Sequence, residues 1–482
     1  MRSAARVATR QRAARDIVLQ VAVRSLNLAL GVLVTALVVR TLGSTRYGQW
    51  STILATLALV EYLATFGADS VAVREAAASP EHEHEWLSAV VALRFVAVVP
   101  VVVISALAML LLARDQQMLI AGLILIAAMP FGGVGALQLV FRLRVNNRVP
   151  MLVLTLRSVL WGVAVAIIFL RRGGLVPFAI ALAITNAIGS IVQSLLALRL
   201  LERRPWPSRQ HLLRLVRAAA PVGLAGMLVI AYARIDQLMV FGISGSRAAG
   251  LYGSVYNMLD QAHFIPMSIL TTLAPVLAAS WPHDRARLLR AARQTAELMA
   301  DASFGALAFA AVAAAPVVRL IFGSAFAQAA PALPILGAAF VFISFGYLNG
   351  NLLVVLGLQR QFLRISLVAL VINVVGNAAL IPLVGFIGAA WMTLITEIYV
   401  CGAGMALIRR KLELEPPRPG RVGRAALAGI ALAGVLVAVA ALGGGLAGLI
   451  IAALIFYPAL LFGLGAIGVG DLRAVVSRGA AA

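Results

Sequence analysis

Three arginines stand inside otherwise apolar segments of this 482-residue chain, and they are the side chains best suited to chemistry. Arg24, Arg94 and Arg157 each lie about seven residues in from one end of a hydrophobic segment, which at ~1.5 Å per residue places their Cα atoms ~10 Å deep in a helix. Buried arginines are costly and usually face a water-filled cavity. The guanidinium keeps its charge and binds phosphate oxygens bidentately, so these positions predict a site for an anion.

The first hydrophobic segment carries a polar stripe that strengthens this interpretation. Gln20, Arg24, Asn27, Gly31 and Thr35 follow one another at spacings of three or four residues, so they share one face of a helix. A polar stripe on an apolar helix indicates contact with water, a substrate or a partner helix.

Each arginine also has a structural interpretation. Arg24, Arg94 and Arg157 could snorkel to the lipid headgroups. Arg234 lies deeper in its segment and cannot reach the headgroups, so the alternative to substrate binding is a structural ion pair within the helix bundle. We predict a substrate-binding site formed by Gln20, Arg24, Asn27, Arg94, Arg157 and Arg234.

Four acidic residues are the candidates for coupling transport to a proton or sodium gradient. They are Glu61, Asp236, Asp260 and Glu397. Intramembrane carboxylates are rare and often carry protons or ions, and the alternative is that they neutralise arginines or bridge helices. Asn373 and Asn377, one helical turn apart, are assigned to packing contacts.

Composition places the chain among polytopic membrane proteins. Hydrophobic residues make up 62% and charged residues 12%, against about 25% charged in a soluble domain. The net charge of +22 is also typical of nucleic-acid binding. Because the arginines lie in loops between apolar segments, we predict that they face the membrane surface and that the protein binds no nucleic acid. A single cysteine, Cys401, excludes disulfides and thiolate metal sites. We predict no catalytic residue, no metal and no cofactor.

Apolar segments of roughly 20 residues predict an all-α fold with about 14 transmembrane helices. They lie at 17–39, 49–70, 87–113, 118–140, 150–170, 177–198, 218–241, 251–279, 297–318, 331–355, 362–382, 386–408, 424–442 and 446–468. Of the 40 Lys and Arg residues, 29 lie in the termini and alternate loops and six in the opposite loops. The positive-inside rule therefore predicts that both termini are cytoplasmic.

Linkers and a repeated turn predict the domain organisation. A basic arm (1–16) precedes an N-lobe of six helices (17–199), and a linker (200–217) leads to a C-lobe of six helices (218–408). A second linker (409–423), two more helices (424–468) and a tail (469–482) follow. Tyr47–Gly48 and Tyr252–Gly253 stand in similar turns and predict a parallel internal repeat, with the lobes around a central cavity.

The motifs at these turns resemble a known family. Arg40-Thr41-Leu42-Gly43 with Tyr47-Gly48, then Arg74-Glu75, Gly250-Leu251-Tyr252-Gly253, Gly357-Leu358-Gln359-Arg360 and Leu380 to Ala390 are similar to the oligosaccharidyl-lipid flippases of the multidrug/oligosaccharidyl-lipid/polysaccharide (MOP) exporter superfamily. The resemblance covers roughly residues 15–410.

This resemblance implies inversion of a polyprenyl-pyrophosphate-linked oligosaccharide across the bacterial inner membrane, for O-antigen or exopolysaccharide synthesis. Its implied partners are membrane lipid, a polysaccharide polymerase and the chain-length machinery. Two alternatives within the superfamily are a peptidoglycan-precursor flippase and a cation-coupled multidrug exporter. A membrane polymerase or ligase is disfavoured because every extracytoplasmic loop is short, so we predict a transporter and not an enzyme.

Overall fold

A computed structural model describes residues 2–143, 148–201, 209–413 and 420–466, and through residue 26 it describes the backbone alone. Within these ranges the chain is helical and contains no strand. The α-helices are α1 (Arg2–Thr65), α2 (Ala68–Ala78), α3 (Glu83–Leu112), α4 (Gln116–Val134), α5 (Leu139–Leu143), α6 (Arg148–Leu170), α7 (Leu175–Leu198), α8 (Arg209–Ala262), α9 (Phe264–Ser280), α10 (Arg285–Phe322), α11 (Ala332–Val355), α12 (Gln359–Val384), α13 (Phe386–Lys411), α14 (Gly420–Ala441) and α15 (Gly445–Gly463).

The helix number agrees with the sequence prediction. Eleven helical stretches in the described residues are long and apolar enough to cross a membrane, and Gln116–Phe131 of α4 is a shorter apolar helix. Two of the eleven, Leu30–Ala76 and Gly223–Ser280, are too long for one crossing of roughly 20 residues and each contains a glycine break. Counting each of these as two crossings gives about fourteen, which confirms an all-α polytopic fold.

The chain forms two compact units that are discontinuous in sequence. The first unit consists of Leu33–Ser254 and Leu358–Thr396, and the second of Met1–Val32, Val255–Gly357 and Glu397–Ala482. In the first unit an aromatic group joins α1, α6 and α7, where Trp50 stacks on Trp161 at 6.4 Å and both contact Phe178. The predicted lobe boundaries at 17–199 and 218–408 stay a prediction.

Two glycines break long helices in the same way. Gly43 in α1 has φ 67° and ψ 174°, and Gly245 in α8 has φ 83° and ψ 177°. Positive φ with extended ψ is accessible to glycine and strained for other residues. The two breaks therefore give α1 and α8 equivalent turns, as an internal repeat predicts.

The two turns of the first unit pack directly on each other through glycines. A Cβ on Gly48 would lie 1.8 Å from the Ser246 carbonyl oxygen, and a Cβ on Gly250 would lie 1.8 Å from the Ser44 carbonyl oxygen. This reciprocal contact pairs Gly48 with Gly250, each five residues after its helix break. The equivalence of Tyr47–Gly48 and Tyr252–Gly253 as positions of an internal repeat stays a prediction.

In the second unit, α14 and α15 pack against α10. Ala300, Ala425 and Ala428 are fully buried in this contact, and small residues let helix backbones approach closely. Polar contacts hold the ends: Arg421 lies 3.3 Å from the Glu297 carboxylate, and the Tyr457 hydroxyl donates to the Asp301 carbonyl. Both polar and apolar contacts therefore hold the two C-terminal helices against α10.

Candidate functional site

A buried carboxylate on α8 accepts hydrogen bonds from α12, from α13 and from the part of α8 beyond the Gly245 break, all in the first unit. Asp236 is 1% exposed. Asn377 Nδ2 donates to its Oδ1 at 2.6 Å, and Thr393 Oγ1 and the Tyr252 hydroxyl lie 2.8 and 3.1 Å from its Oδ2. Asn373 extends the group, since its Oδ1 accepts from Asn377 Nδ2 at 3.1 Å. These side chains come from α8, α12 and α13 and form one polar cluster in an apolar bundle.

The Asp236 cluster is rich in oxygen atoms and has no cation of its own. Every hydrogen bond to the Asp236 carboxylate comes from a neutral group, and no described Lys, Arg or His forms an ion pair with it. Asn377 Oδ1 is buried and accepts no hydrogen bond from the described residues. Because a buried charge is costly without compensation, the arrangement suits either protonation of the Asp236 carboxylate or binding of a small hard cation, which prefers oxygen ligands.

Glu61 and Arg157 line a second polar site in the same unit. A cavity of about 350 Å³ lies between α1, α4, α6 and α7, and its polar lining comes from Glu61, Arg157, Asn186 and Ser190. The rest of the wall is apolar, with Leu57 and Phe131 among its members. Arg157 brings a permanent positive charge to this space, and the amide and hydroxyl on α7 offer hydrogen bonds, so the cavity can hold a polar or anionic group.

Arg94 lies close to this cavity but is held by a carboxylate. Its Nη2 donates to both oxygens of Asp69 at 2.9 and 3.1 Å, and the arginine is 8% exposed. Its Nε is buried and has no hydrogen-bond partner among the described residues. A smaller cavity beside it is lined by both Arg94 and Glu61, so Glu61 lines one cavity with each of the two arginines.

The remaining predicted site residues are distributed over both units. Arg234 is half-buried on α8 in the first unit, and Asn27, Asp260 and Glu397 belong to the second unit. Asp260 lies 3.9 Å from His263 Nδ1. The side chains of Gln20 and Arg24 fall outside the described part of the structure. The structure therefore brings Glu61, Arg94 and Arg157 together, and their role in binding stays a prediction.

Sequence reasoning missed two partners that define these sites. Thr393 contacts Asp236 across 157 residues of sequence, and no local pattern distinguishes it from other threonines in apolar helices. Asp69 lies two residues after Gly67, in the first turn of α2, and the sequence shows that it follows the end of an apolar segment. Its pairing with Arg94 depends on how α2 packs, which the sequence does not show. The sequence assigns Asn373 and Asn377 to packing contacts as a one-turn pair, and in the structure Asn377 donates to Asp236 and to Asn373.

Comparisons with known proteins place the chain in a family and a fold. Residues 13–281, more than half of the chain, match the family described as "Polysaccharide biosynthesis protein". No curated protein matches the sequence.

Solved structures share the fold at low sequence identity. The lipid II flippase MurJ in an inward closed conformation has a TM-score of 0.70 and 13% identity, covering 92% of this chain and 98% of that chain. An inward-facing multidrug resistance MATE family transporter of the MOP superfamily has a TM-score of 0.65 and 16% identity, covering 81% and 96%. A MOP superfamily transporter from Pyrococcus furiosus has a TM-score of 0.58 and 16% identity, covering 85% and 97%. The chain has the fold of MOP superfamily transporters, as the sequence motifs predicted.

Proposed function

We propose, from the premise that this chain belongs to the polysaccharide biosynthesis protein family, that it is a flippase for lipid-linked oligosaccharides. It moves a polyprenyl-pyrophosphate-linked repeat unit from the cytoplasmic to the outer leaflet of the bacterial inner membrane by alternating access. A polymerase and its chain-length machinery use the flipped unit for a surface or exported polysaccharide. Both termini are cytoplasmic in this proposal, in accord with the distribution of arginines.

The observation that carries the proposal is the charged cavity around Arg157. A pyrophosphate cannot cross hydrocarbon unpaired, because transferring a bare ion costs tens of kcal/mol in the Born limit. Arg157, Asn186 and Ser190, together with Glu61, supply the polar part of a cavity of about 350 Å³ with an otherwise apolar wall, and the guanidinium of Arg157 can bind phosphate oxygens in a forked geometry. The polyprenyl tail needs no such site because it stays in lipid.

The Asp236 cluster supplies the coupling step of the proposal. A proton or sodium ion at Asp236 neutralises a carboxylate that otherwise has only neutral donors around it. Binding of the cation therefore favours the conformation in which these helices are packed together, and its release favours the other conformation. A ligand shifts such an equilibrium only by its differential affinity for the two states, so the gradient can drive the return of the empty transporter.

Two other substrates fit the same fold. The likeness to the lipid II flippase, which covers nearly all of both chains, favours a peptidoglycan precursor as the second candidate, since it also carries a pyrophosphate. The likeness to multidrug transporters makes a cationic drug the third. Arg157 repels a cation and Glu61, which lines the same cavity, attracts one, so transport of a cationic dye is part of the test.

Reconstitution of the full chain into proteoliposomes tests the proposal. Three compounds are compared: a fluorescent polyprenyl-diphosphate oligosaccharide, lipid II, and a cationic dye. We expect the first to be flipped, Arg157→Gln to abolish flipping, and Arg157→Lys to keep part of it, because lysine retains a point charge. Arg360→Gln, at an exposed position, is the matched control and should flip at the normal rate.

Each outcome decides between the candidates. Flipping of lipid II alone would make the chain a peptidoglycan-precursor flippase, and dye transport alone would make it an exporter. Transport of the oligosaccharide lipid that is unaffected by Arg157→Gln would remove the cavity from the mechanism.

A further inference from the structure

Three turns meet at one end of the first unit, and Arg46 joins them. Arg46 lies just after the Gly43 break in α1, and its Nη1 donates to Gln117 Oε1 at the start of α4 at 2.6 Å. A Cβ on Gly174, just before α7, would lie 3.0 Å from the same Nη1. The turns at Gly43, between α3 and α4, and between α6 and α7 therefore lie side by side. The arginine distribution predicts that this is the extracytoplasmic end.

These three turns carry four arginines and one carboxylate. Arg114, Arg171 and Arg172 are exposed, like Arg46. The charge of Arg46 acts on the nearby carboxylate of Asp115, and Arg114 lies over the Phe241 ring at 5.6 Å. The carboxylate is Asp115, which accepts from Gln49 Nε2 at 2.6 Å and from the Met118 amide at 2.8 Å. Only six arginines lie in the loops at this end of the whole chain, so their concentration in three adjacent turns runs against the positive-inside pattern.

The local backbone adds to the positive potential at Arg46. The helix α7 begins directly after Gly174, and no side chain caps it, so its first amide groups point out of the helix. A guanidinium beside the positive end of a helix is unfavourable unless an anion lies between them. Arg172 also adopts φ 50°, a left-handed conformation that costs free energy for a residue other than glycine and that fixes the direction of this turn.

We propose that Arg46, Arg171 and Arg172 form a binding site for a phosphate group at the membrane interface. Guanidinium groups are the side chains that bind phosphate with paired hydrogen bonds, and a site at the ends of membrane helices is within reach of lipid headgroups. The phosphate has two sources, an anionic phospholipid of the leaflet or the diphosphate of a translocated polyprenyl lipid. This site goes beyond the proposed flippase function and does not depend on the Arg157 cavity.

Lipid binding to the full chain in detergent tests the site, with native mass spectrometry as the readout. The probes are phosphatidylglycerol, a polyprenyl diphosphate, and phosphatidylcholine as the zwitterionic reference. The test variant is Arg46→Gln combined with Arg172→Gln, and Arg171→Gln alone is the milder variant for the case that the double variant does not fold. Arg319→Gln is the matched control, because Arg319 is also exposed at a helix end and belongs to the second unit.

We expect the double variant to bind the preferred phosphate probe at least about tenfold more weakly, given ~1.5–3 kcal/mol for a hydrogen bond to a charged group. Arg319→Gln should bind normally, and phosphatidylcholine should not distinguish the proteins. Loss for phosphatidylglycerol alone assigns the site to a phospholipid, loss for the diphosphate alone assigns it to the translocated lipid, and loss for both assigns it to phosphate in general. Unchanged binding of both phosphate probes, or an equal loss in Arg319→Gln, would overturn the proposal. Flipping measured after the same variants are reconstituted into proteoliposomes shows whether the Arg157 cavity works independently.

Discussion

At the scale of single residues, the two polar sites of the first unit differ in how their charges are compensated. Arg94 is paired with Asp69 at 2.9 Å, whereas Asp236 has only neutral donors. A compensated buried charge contributes to structure, and breaking the pair leaves its partner uncompensated. An uncompensated carboxylate is instead a place where a mobile ion can bind and leave. The same residue types thus predict different consequences of mutation.

Asp236→Asn should uncouple transport from the ion gradient. The amide keeps the size of the side chain but removes the charge that attracts a proton or a sodium ion. We expect flipping in proteoliposomes to stop responding to imposed proton and sodium gradients, while the protein remains in the membrane. Tyr252→Phe, which removes one hydrogen bond to the carboxylate, is the graded control and should weaken the response about tenfold, in line with ~1.5 kcal/mol at the lower end for a hydrogen bond to a charged group. A gradient response equal to that of the unmodified protein would contradict the role of Asp236.

Arg94→Gln should act on stability more than on transport. Removal of the arginine leaves Asp69 without its cation in a mostly buried position, which is expected to cost about 3 kcal/mol. The double change Arg94→Gln with Asp69→Asn removes both charges and should recover much of that loss. Thermal unfolding of the purified proteins measures both variants. If the double variant is no more stable than Arg94→Gln alone, the pair is not the structural contact described above.

The sequence was informative about which residues are unusual and less informative about which of them meet. Asp236 and Arg157 were identifiable because ionisable side chains are rare in apolar helices. Their neighbours were not, since Thr393 and Asn377 approach Asp236 from helices 157 and 141 residues away. Contacts at such separation depend on how helices pack, which local spacing does not encode.

At the scale of elements, the crossing of the two glycine turns depends on the absence of side chains. Gly48→Ala or Gly250→Ala would place a Cβ 1.8 Å from a backbone oxygen of the other turn, so the turns would have to separate. We expect a lower melting temperature and a slower or altered transport cycle. Gly242→Ala is the matched control on α8, because no atom lies within 4 Å of its added Cβ, and it should behave like the unmodified protein. The measurement is cross-linking between cysteines introduced at Ser44 and Ser246, after replacement of Cys401, and efficient cross-linking in Gly48→Ala would contradict the prediction.

The start of α4 should be sensitive to acid through Asp115. Burial alone would raise the pKa of Asp115, but hydrogen bonds from the Met118 amide and from Gln49, together with the charge of Arg46, outweigh it and lower the pKa below its usual value. A lowered pKa in the folded state means that the carboxylate stabilises the fold above its unfolded value of about 3.9 and that this stabilisation is lost as the pH falls through the folded value.

Asp115→Asn removes this charge and keeps an oxygen to cap the helix. We therefore expect it to be less stable than the unmodified protein at pH 7, by a small amount because the site is exposed to solvent. Below about pH 4 the difference should shrink, since Asp115 itself becomes neutral. Thermal unfolding at a series of pH values measures this, and a difference that stays constant down to pH 2 would contradict the assignment.

Among the elements, helix number was predictable and the contact between the two turns was not. Apolar segments of about 20 residues are set by the thickness of the bilayer, so composition alone locates them. The equivalence of the two turns depends instead on backbone geometry at Gly43 and Gly245. The sequence also did not show that Gly48 and Gly250 approach the opposite turn closely, because that contact depends on how α1 and α8 pack.

At the scale of the whole molecule, α14 and α15 are the part of the fold that lies outside the predicted repeat. They attach to α10 in the second unit through buried alanines and the Arg421–Glu297 pair. If α14 and α15 are removed, lipid tails cover the surface of α10 that they contacted, and this exchange has no hydrophobic cost because the tails are equally apolar. Helix association in a membrane depends on close packing and polar contacts. Loss of these two helices should therefore leave the remaining bundle folded, and a deletion after Pro416 should still yield a membrane protein.

The prediction for these helices is that they guide the polyprenyl tail, and one glycine allows a milder test than deletion. A Cβ on Gly429 of α14 would lie 3.0 Å from the Phe304 carbonyl oxygen of α10, whereas nothing lies within 4 Å of a Cβ on Gly434 one and a half turns later. Gly429→Val should therefore displace α14 from α10, and Gly434→Val should not. We expect Gly429→Val to reduce flipping of the polyprenyl-linked oligosaccharide several-fold at normal membrane abundance, with Gly434→Val unaffected. If the deletion after Pro416 flips the lipid-linked substrate at the normal rate, the helices have no part in guiding the tail, because a guide that can be removed without loss is not on the path of the substrate.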